Sequence, residues 1–423
     1  MKNIKKIIKN YIPGAVINWY HLIGAIFANV YYGFPSRKLI VIGVTGTDGK
    51  TTTCNLIYSI LKAAGKEAGL ISTINAIIGD KEYETGFHVT SPDPFSLQRF
   101  LRLMVDKGCQ YAVLEVTSHA LDQNRVWGIH FQVGVVTNVT REHLDYHKTY
   151  ENYLKTKGLL IKRADKAVLN ADDGSFEYLK TLKEKAVTYS LKNPVVIPFK
   201  LNLPGEYNIS NALAASAAAV CLGINSAAIR KGLENLTDLP GRFEEINEGQ
   251  DFKVIVDFAH TPNALENVLT EVVKRKSSAS RIILVFGCAG LRDTTKRPMM
   301  GEISGRLADL SILTAEDPRT EDVNRIIGEI AEGARRAGAV ELEIEKSSEV
   351  RELKHGFVIE PDRKEAIRRA INLARAGDWV LIIGKGHERS MCFSEVEFPW
   401  SDQEEVRQAL RGERGSLCHP LLK

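Results

Sequence analysis

The sequence predicts an α/β protein with mostly parallel sheets, and three observations support this prediction. Short apolar runs rich in β-branched residues alternate with segments of helical periodicity along most of the chain. The alternation breaks at residues 236–243, where a Pro-Gly pair indicates a boundary between two domains. A glycine-bearing turn followed by Lys-Thr-Thr joins a strand to a helix within residues 41–53. Strands and helices that alternate in this way form parallel sheets with helices on both faces.

Length and composition limit the classes of protein that fit. The chain has 423 residues and a formal net charge of +4. That length suits two or three domains, and the charge is too mild to indicate nucleic-acid binding. The six cysteines form no Cys-X-X-Cys pair, so they predict reduced, mostly buried thiols. We therefore expect a cytoplasmic protein without a nucleic-acid partner.

Residues 1–38 predict an amphipathic helical segment. No charged residue occurs from Asn10 to Ser36, although lysines precede this stretch and Arg37 and Lys38 follow it. Polar or small residues recur at helical spacing along one face, namely Asn18, His21, Ala25, Asn29 and Tyr32. The opposite face carries Trp19, Ile23, Ile26 and Val30. A helix that covers the next domain is the favoured interpretation. Contact with the inner face of the membrane is the alternative, and a membrane span is the least favoured.

The turn after the first clear strand has the residues of a phosphate-binding loop. Consecutive backbone N–H groups at such a turn, together with a helix N-terminus, bind phosphate. Lys50 is expected to reach the β- and γ-phosphates, and the Thr51 hydroxyl to hold Mg²⁺. A purely structural turn would not need the Lys-Thr-Thr that follows it. The predicted ATP-binding residues here are Thr45, Gly46, Thr47, Asp48, Gly49, Lys50, Thr51 and Thr52.

The other predicted elements follow the same alternation. Helices are predicted over residues 52–64, 95–107 and 210–222, each followed by a glycine. Strands are predicted over residues 111–116, 133–137 and 167–170, and after the boundary near 254–258, 282–286, 310–314 and 380–383.

Chemically active side chains follow two of these strands. Glu115 lies at the end of one strand, and His143 lies in the segment after the next. The carboxyl ends of parallel strands form the ligand crevice of such sheets. Glu115 and His143 are therefore candidates to hold a second metal ion beside the nucleotide. Taken singly, a capping carboxylate and a hydrogen-bonded core histidine remain the ordinary alternatives.

A series of short motifs makes the resemblance to a known family specific. They are Thr45–Thr52, Thr90–Asp93, Glu115–His119, Gln123–Arg125, Arg141–His147, Asn170–Asp173, Pro240–Phe243, Asp257–Pro262, Lys296–Pro298 and Gly384–Glu388. In this order they resemble the MurE-type Mur ligases of peptidoglycan synthesis, over about residues 39–400. The resemblance implies a central ATP-binding domain at residues 39–238 with a mostly parallel sheet. It also implies a C-terminal Rossmann-like domain at 239–423 that binds the incoming amino acid.

The resemblance also implies a reaction and roles. MurE-type enzymes use ATP to turn a carboxylate of UDP-N-acetylmuramoyl-dipeptide into an acyl phosphate, which an amine then attacks, with ADP and phosphate as products. Lys157 matches the family's carbamylated lysine, and otherwise would be a charge on a helix surface. The implied catalytic residues are Lys50, Glu115, His143 and Lys157, and the implied metal ligands are Thr51, Glu115, His143 and carbamylated Lys157.

The resemblance to the family also implies which residues bind each substrate. Asn208, Arg242 and Asp257 match further ATP-contacting positions, although plain helix capping would equally explain the Asn208 region. The muramoyl-peptide site is implied at Thr90, Ser91, Thr117, Ser118, Gln123 and Arg125. The amino-acid site is implied at Arg292, Glu316, Asp317, Arg319, Gly384 and Glu388.

The prediction of which amino acid the enzyme adds depends on Arg319. The family's diaminopimelate signature is Asp-Asn-Pro-Arg, and this chain has Glu316-Asp317-Pro318-Arg319. A guanidinium can bind the distal carboxylate of meso-diaminopimelate, which lysine lacks. Glu316 and Asp317 leave a choice open, because they could bind the distal ammonium or instead pair with Arg319.

The N-terminal part of the sequence differs from the family, whose members begin with a uridine-binding domain. Because uridine recognition is then left open, the expected acceptor is either UDP-N-acetylmuramoyl-dipeptide or a related cell-wall precursor. One alternative is a folylpolyglutamate-type ligase, against which His119, Gln123, Arg125 and the Gly384–Glu388 motif argue. Another is a non-catalytic nucleotide-binding subunit, which would not need Lys50, Glu115, His143 and Lys157 together. We expect a monomer whose partners are ATP with Mg²⁺, the muramoyl-peptide and the amino acid.

Overall fold

The computed structural model describes residues 14–84, 91–194, 198–342 and 355–413. The chain divides into two compact units. The first contains the residues up to Asn202 together with Tyr207–Thr237, and the second contains Leu203–Glu206 and the residues from Asp238 onward. Both units are built from alternating strands and helices, so the predicted α/β class is confirmed. The cysteines of the described ranges are free and buried, as expected.

The first unit contains one large sheet and its covering helices. Its strands are β1 (Ile40–Thr45), β2 (Ala68–Ile71), β3 (Ala76–Ile78), β4 (Lys81–Tyr83), β5 (Tyr111–Glu115), β6 (Phe131–Val136), β7 (Ala164–Asn170) and β8 (Ala186–Tyr189). Its helices are α1 (Gly14–Tyr31), α2 (Lys50–Ala63), α3 (Pro94–Asp106), α4 (Ser118–Asp122), α5 (Leu144–His147), α6 (Tyr150–Arg163), α7 (Phe176–Lys180), α8 (Glu206–Cys221) and α9 (Ser226–Asn235), with a 3₁₀ turn at Pro35–Lys38.

The order of the strands determines where the site forms. Within the described residues the sheet runs β4-β3-β2-β5-β1-β6-β7-β8. β1 pairs in parallel with both β5 and β6, whereas β3 and β4 extend one edge in antiparallel fashion. The carboxyl ends of β1, β5 and β6 therefore lie side by side. They bring the phosphate loop, Glu115 and the segment after Val136 to one edge of the sheet.

Both faces of this sheet are buried, as a parallel sheet covered by helices requires. Ile42 and Val44 of β1 belong to the core cluster that includes helix α2, and Val41 belongs to the cluster on the other face with helix α3. Successive side chains of a strand point to opposite faces, so a strand buried on both faces is apolar throughout. This explains why the sequence shows a continuous apolar run before the phosphate loop.

The second unit repeats the scheme with its own core. Its strands are β9 (Glu244–Ile246), β10 (Lys253–Asp257), β11 (Ile282–Phe286), β12 (Leu310–Leu313), β13 (Val340–Glu341), β14 (Gly356–Ile359), β15 (Trp379–Ile383), β16 (Ser390–Phe393) and β17 (Val396–Pro399). Its helices are α10 (Pro262–Arg275), α11 (Lys296–Leu307), α12 (Val323–Arg336), α13 (Arg363–Leu373) and α14 (Asp402–Leu410).

In the described part of this unit, seven strands form a sheet in the order β13-β14-β12-β11-β15-β10-β9. All neighbours pair in parallel except β9, which is antiparallel to β10. Strands β16 and β17 form a separate hairpin, and a bridge between Arg319 and Phe393 ties the segment after β12 to it. The carboxyl ends of β10, β15, β11 and β12 thus lie at one edge, and the residues of the implied amino-acid site follow β11, β12 and β15.

Helix α1 packs against the first unit with the opposite face from the one that hydrophobicity suggests. Asn29 is buried and donates from Nδ2 to the carbonyl oxygens of Ala25 and Trp127, at 2.8 and 2.9 Å. Ala25 is also buried, whereas Trp19 and Val30 are exposed. The favoured interpretation of a docked helix is confirmed, but the helix docks through its polar stripe. In the described ranges, no helix combines the length and the apolarity that crossing a membrane requires.

Candidate functional site

The phosphate loop is a tight connection between β1 and α2. Gly49 has φ +79° and lies immediately before the first residue of α2. A Cβ atom at Gly49 would lie 2.2 Å from Asn211 Oδ1, and one at Gly46 would lie 1.8 Å from Thr137 Oγ1. Glycine is therefore required at both positions, at Gly49 also because the left-handed region disfavours other residues. The loop backbone can approach its neighbours closely, as phosphate binding requires.

The exit of strand β6 holds this loop in place. Thr137 Oγ1 donates to the Asp48 carbonyl oxygen at 2.7 Å, and the Asp48 N–H donates to Asn138 Oδ1 at 2.9 Å. The Thr47 N–H donates to the Asn138 carbonyl oxygen at 2.9 Å. These bonds hold the backbone of the loop from outside. The sequence placed Thr137 at the end of a predicted strand and Asn138 directly after it, but it gave neither residue a role in holding the loop.

Thr51 and Glu115 lie together beneath the loop. Thr51 Oγ1 donates to Glu115 Oε2 at 2.9 Å, and the Thr73 N–H donates to the same oxygen at 2.9 Å. Both Thr51 and Glu115 are buried. A hydroxyl and a carboxylate are oxygen ligands of the kind that Mg²⁺ prefers.

This donor set fits a magnesium ion that is shared with a nucleotide. In the described residues, no group of three His, Cys, Asp or Glu side chains is arranged to hold a metal on its own. Mg²⁺ is usually bound by one or two carboxylates together with substrate phosphates and water, so such a group is not needed. The hydroxyl of Thr51 and the carboxylate of Glu115 meet that requirement beside the phosphate loop.

Lys157 lies inside the first unit, so the interpretation as a helix-surface charge is wrong. Its side chain is buried, and Nζ donates to the Gly46 carbonyl oxygen at 2.6 Å. Burial, reinforced by the nearby Lys50, lowers the pKa of Lys157 well below its ordinary value. The Lys157 amine is therefore held next to the phosphate loop, in an environment that favours its neutral form.

A group of aromatic rings surrounds His143. The His143 ring lies 4.9 Å from that of His119 and 6.2 Å from that of Tyr153, measured between ring centres. His147 Nε2 and Ser118 Oγ are 3.0 Å apart. Burial lowers the pKa of His147 to about 4, so its imidazole is neutral near pH 7. His147 belongs to the Arg141–His147 motif, for which the sequence predicted no role at this residue. Its contact with Ser118 places it beside the predicted acceptor site.

Four of the residues predicted to bind the muramoyl-peptide lie together. Ser91 Oγ is 3.2 Å from Thr117 Oγ1 and donates to the Glu115 carbonyl oxygen at 3.2 Å. Arg125 donates to Gln123 Oε1 at 2.8 Å through Nε and at 2.5 Å through NH2, and to the Ser91 carbonyl oxygen at 3.2 Å. These contacts connect the group to the end of β5. Thr90 lies outside the described residues.

The three further ATP positions are found in both units. In the first, Asn208 is buried and its Oδ1 accepts from Asn211 Nδ2 at 3.2 Å, which links it to the residue that faces Gly49. In the second, Asp257 accepts the N–H groups of Phe243 and Ala259, at 2.6 and 2.7 Å. The Arg242 guanidinium lies 4.5 Å from the centre of the Phe258 ring.

The implied amino-acid site contains a buried lysine that sequence reasoning missed. Lys385 Nζ donates to Asp317 Oδ1 at 2.9 Å and to Glu388 Oε2 at 2.6 Å, and its side chain is fully buried. Burial alone would lower the pKa of Lys385, but the carboxylates of Glu388 and Asp317 raise it above its ordinary value. Asp317 Oδ1 also accepts the Cys392 N–H at 3.0 Å. Lys385 lies within the quoted Gly384–Glu388 motif, and that was its only sequence signal.

Arg319 differs from these residues because its guanidinium has no carboxylate partner among the described residues. NH1 donates to the Gly290 carbonyl oxygen at 3.3 Å, and the backbone N–H donates to the Cys392 carbonyl oxygen at 3.0 Å. Its φ of +55° is unusual for a residue other than glycine. The bridge to β16 holds the backbone in this conformation. Asp317 therefore pairs with Lys385 and not with Arg319.

Glu316 and Arg292 complete the predicted set. Glu316 Oε2 would be 2.9 Å from a Cβ at Gly384, so the two residues are in close proximity. Burial raises the pKa of Glu316 to about 7, with Asp317 adding to the effect and Lys296 opposing it. Arg292 is half-buried in the loop between β11 and α11.

Comparisons with known proteins agree with this arrangement. Family profiles match residues 44–198 as a Mur ligase middle domain and residues 241–386 as a Mur ligase glutamate ligase domain. A UDP-N-acetylmuramoyl-L-alanyl-D-glutamate–2,6-diaminopimelate ligase of Geobacter metallireducens is 42% identical over 417 residues, which cover 91% of this chain and 81% of that protein. The chain belongs to the Mur ligase family.

The MurE-type resemblance is thereby confirmed for this Mur ligase. The enzyme of the same name from Clostridium tetani is 38% identical over 91% of this chain and 80% of its own length. A solved structure of a ligase with that name has a TM-score of 0.56 at 30% identity, over 88% of this chain and 78% of that one. A pseudomurein peptide ligase type C from Methanothermus fervidus has a TM-score of 0.61 at 21% identity, covering 89% and 79%, and shows the fold alone. As a Mur ligase, the protein is an ATP-dependent, ADP-forming amide ligase that works with Mg²⁺.

Proposed function

We propose that this Mur ligase joins meso-diaminopimelate to UDP-N-acetylmuramoyl-L-alanyl-D-glutamate or a closely related cell-wall precursor. The observation that carries the proposal is that the Arg319 guanidinium donates to the Gly290 carbonyl oxygen and has no carboxylate partner among the described residues, whereas Asp317 is already paired with Lys385. The relative from Geobacter metallireducens is named for this substrate pair. We therefore propose the same two substrates for this chain, because the residues of its implied amino-acid site are present.

The first half of the reaction forms the activated acid on the first unit. The γ-phosphoryl group of ATP passes to a carboxylate oxygen of the acceptor, which gives an acyl phosphate and ADP. Lys50 follows the loop directly and places its positive charge where the β- and γ-phosphates would lie. Thr51, Glu115, His143 and Lys157 are proposed as the residues that hold magnesium. When bound, the ion would neutralise charge on the transferring phosphoryl group.

The role of Lys157 follows from its position. A neutral amine is nucleophilic and can react with carbon dioxide to form a carbamate, whereas an ammonium cannot. The lowered pKa of Lys157 favours the neutral form. In the structure the amine donates to the Gly46 carbonyl oxygen at 2.6 Å. Conversion to a carbamate would replace this amine with an anion whose oxygens could bind a metal ion.

The second half of the reaction uses the amino-acid site of the second unit. The amine of diaminopimelate attacks the acyl carbonyl carbon, an amide forms and inorganic phosphate leaves. Arg319 is proposed to bind the distal carboxylate through paired hydrogen bonds. Glu316 and Glu388 are proposed to attract the ammonium end of the same molecule. Lys385 is proposed to hold Glu388 and Asp317 in place through its two ion pairs.

The state and location of the enzyme are also proposals. We infer that it acts as a monomer in the cytoplasm, because the implied residues of each substrate site come from this one chain. We infer in addition that residues 1–36 bring it to the inner face of the membrane. The packing of helix α1 supports this second inference.

One substrate screen tests the proposed reaction. Purified enzyme is mixed with ATP, Mg²⁺ and UDP-N-acetylmuramoyl-L-alanyl-D-glutamate, and either meso-diaminopimelate or L-lysine is added. We expect ADP and phosphate in equal amounts and a product mass that corresponds to one added diaminopimelate. Equal or faster turnover of L-lysine would overturn the assigned amino acid. ADP formation only with a folate acceptor would overturn the assigned acceptor and favour the folylpolyglutamate-type alternative.

A further inference from the structure

Helix α1 presents a continuous apolar surface to solvent. The residues of this surface are Trp19, Tyr20, Ile23, Ile26, Phe27, Val30 and Tyr31, and each is exposed. They recur at the spacing of one helix face, so they form a single stripe along α1. The exposed fraction of Trp19 is 65% and that of Val30 is 60%. We call this stripe the outer face of α1.

The outer face is exposed because the other face of α1 is held by specific contacts. Asn29 Nδ2 donates to the Trp127 carbonyl oxygen, and a Cβ at Gly128 would lie 2.9 Å from the Asn29 side chain. Ser36 Oγ, just after the helix, donates to the Gly128 carbonyl oxygen at 3.3 Å. The helix therefore cannot rotate its apolar side chains inward without breaking these bonds. A docked helix normally buries its apolar stripe, and this one buries its polar stripe instead.

The charged residues that flank the outer face in the sequence are all basic. The chain has no Asp or Glu before Asp48, whereas Lys2, Lys5, Lys6, Lys9, Arg37 and Lys38 all precede it. Such basic flanks are complementary to an anionic surface. The outer face is also rich in Trp and Tyr, the residues that concentrate where a bilayer meets water.

We propose that the outer face of α1 lies on a bilayer that contains anionic phospholipids, with the flanking lysines and arginine at the headgroups. The apolar side chains would enter the boundary between headgroups and acyl chains, as in other interfacial helices. The occupant is a lipid surface and not a protein, because the combination of a basic-only segment with an aromatic, aliphatic stripe matches lipid headgroups and acyl chains at once. The inference deepens the proposed location and does not depend on the identity of the amino acid.

Vesicle binding by the full chain tests the inference. The probes are vesicles of phosphatidylcholine alone and vesicles with equal parts of phosphatidylcholine and phosphatidylglycerol, and binding is measured by flotation at low and high salt. We expect at least ten-fold tighter binding to the anionic vesicles, and weaker binding at high salt because charge is screened. Val30→Glu should reduce binding to anionic vesicles by at least ten-fold.

A matched variant separates the outer face from a general effect of adding charge. Val220 lies on α8 in the same unit with an exposed fraction of 54%, close to that of Val30. Val220→Glu should leave vesicle binding unchanged. ADP formation with soluble substrates should be the same in both variants and in the unmodified enzyme, since neither residue belongs to a proposed site. Replacing the four N-terminal lysines with Gln should remove the preference for anionic vesicles.

Two outcomes would overturn the inference. One is the absence of binding to anionic vesicles by a protein that is active with soluble substrates. The other is a concentration-dependent dimer that Val30→Glu dissociates while vesicle binding stays absent, which would show that a second copy covers the outer face. Loss of ligase activity with retained vesicle binding would instead refute the proposed reaction and leave this inference intact.

Discussion

Lys385 Nζ lies 2.9 Å from Asp317 Oδ1, in a part of the second unit where the lysine side chain has no solvent exposure. The diaminopimelate signature of the family has Asn at the position of Asp317. The added carboxylate would be costly to bury alone, and Lys385 compensates for it while also contacting Glu388. Asp317 is therefore paired with Lys385, and the proposed role of Arg319 toward a substrate carboxylate does not require Asp317 to give up that partner.

The first prediction concerns this buried pair. Lys385→Met should lower the free energy of unfolding by about 3–5 kcal/mol, because removing one partner leaves a buried carboxylate without its counter-charge. Asp317→Asn combined with Lys385→Met should recover part of that loss. Denaturant unfolding of the single and double variants measures both effects. If the double variant is no more stable than Lys385→Met, then the two residues are not energetically coupled.

The second prediction concerns the phosphate loop. Lys50→Ala should abolish nearly all ADP formation, because the charge on the transferring phosphoryl group loses its nearest proposed counter-ion. Lys62→Ala is the matched control, since Lys62 lies on the same helix and is exposed. Steady-state assays of ADP and phosphate measure the effect. AMP and pyrophosphate as products of the unmodified enzyme would contradict the mechanism.

The third prediction concerns Lys157. Lys157→Ala should lose most activity, and short carboxylic acids added to the assay should restore part of it by replacing the carbamate. Lys162→Ala, an exposed position on the same helix, should behave like the unmodified enzyme. A Lys157→Ala variant with normal rates would refute the role. So would a mass spectrum in bicarbonate, under conditions that preserve carbamates, in which Lys157 remains unmodified.

The fourth prediction concerns the choice of amino acid. Arg319→Ala should reduce the preference for meso-diaminopimelate over L-lysine by roughly ten- to hundred-fold, the scale of a charge-assisted hydrogen bond of about 1.5–3 kcal/mol. The variant should keep most of its ability to form the acyl phosphate, since the proposed role of Arg319 is in the amino-acid site only. Arg325→Ala, at an exposed arginine on α12, should leave the ratio of kcat/KM values unchanged. An unchanged preference in Arg319→Ala would remove Arg319 from the specificity site.

The fifth prediction is a pH dependence that arises from Glu316. Its pKa of about 7 means that the carboxyl group loses its proton as the pH rises from 6 to 8. The resulting negative charge should attract the ammonium groups of the amino acid, so KM for diaminopimelate should fall as pH rises through this range. Glu316→Gln cannot ionise and should flatten the profile. A KM that rises with pH in the unmodified enzyme would contradict the proposed contact.

The sequence by itself determined the features that depend on local pattern. The phosphate loop, the parallel class of the sheets and most central strands follow from a glycine-bearing turn and from continuous apolar runs. These are short-range signals that a strand buried on both faces produces directly. Short strands such as β3, β4 and β9 were missed, because a strand of three residues has too little periodicity to distinguish it from a loop.

Contacts between residues that are far apart in the sequence were determined only by the tertiary structure. Periodicity divides α1 into two faces, but the face that packs is the one from which Asn29 donates a hydrogen bond to Trp127, 98 positions away in the sequence. A lysine in a helix looks the same whether it is exposed or buried, and the position of Lys157 was determined by the approach of α6 to Gly46. Likewise, whether Asp317 binds the distal ammonium or pairs with Arg319 was left open by the sequence, and the contact with Lys385 appeared only where the ends of β12 and β15 lie close together. Charge pairing in a core depends on the distance between side chains in space, and the spacing of residues in the sequence does not give that distance.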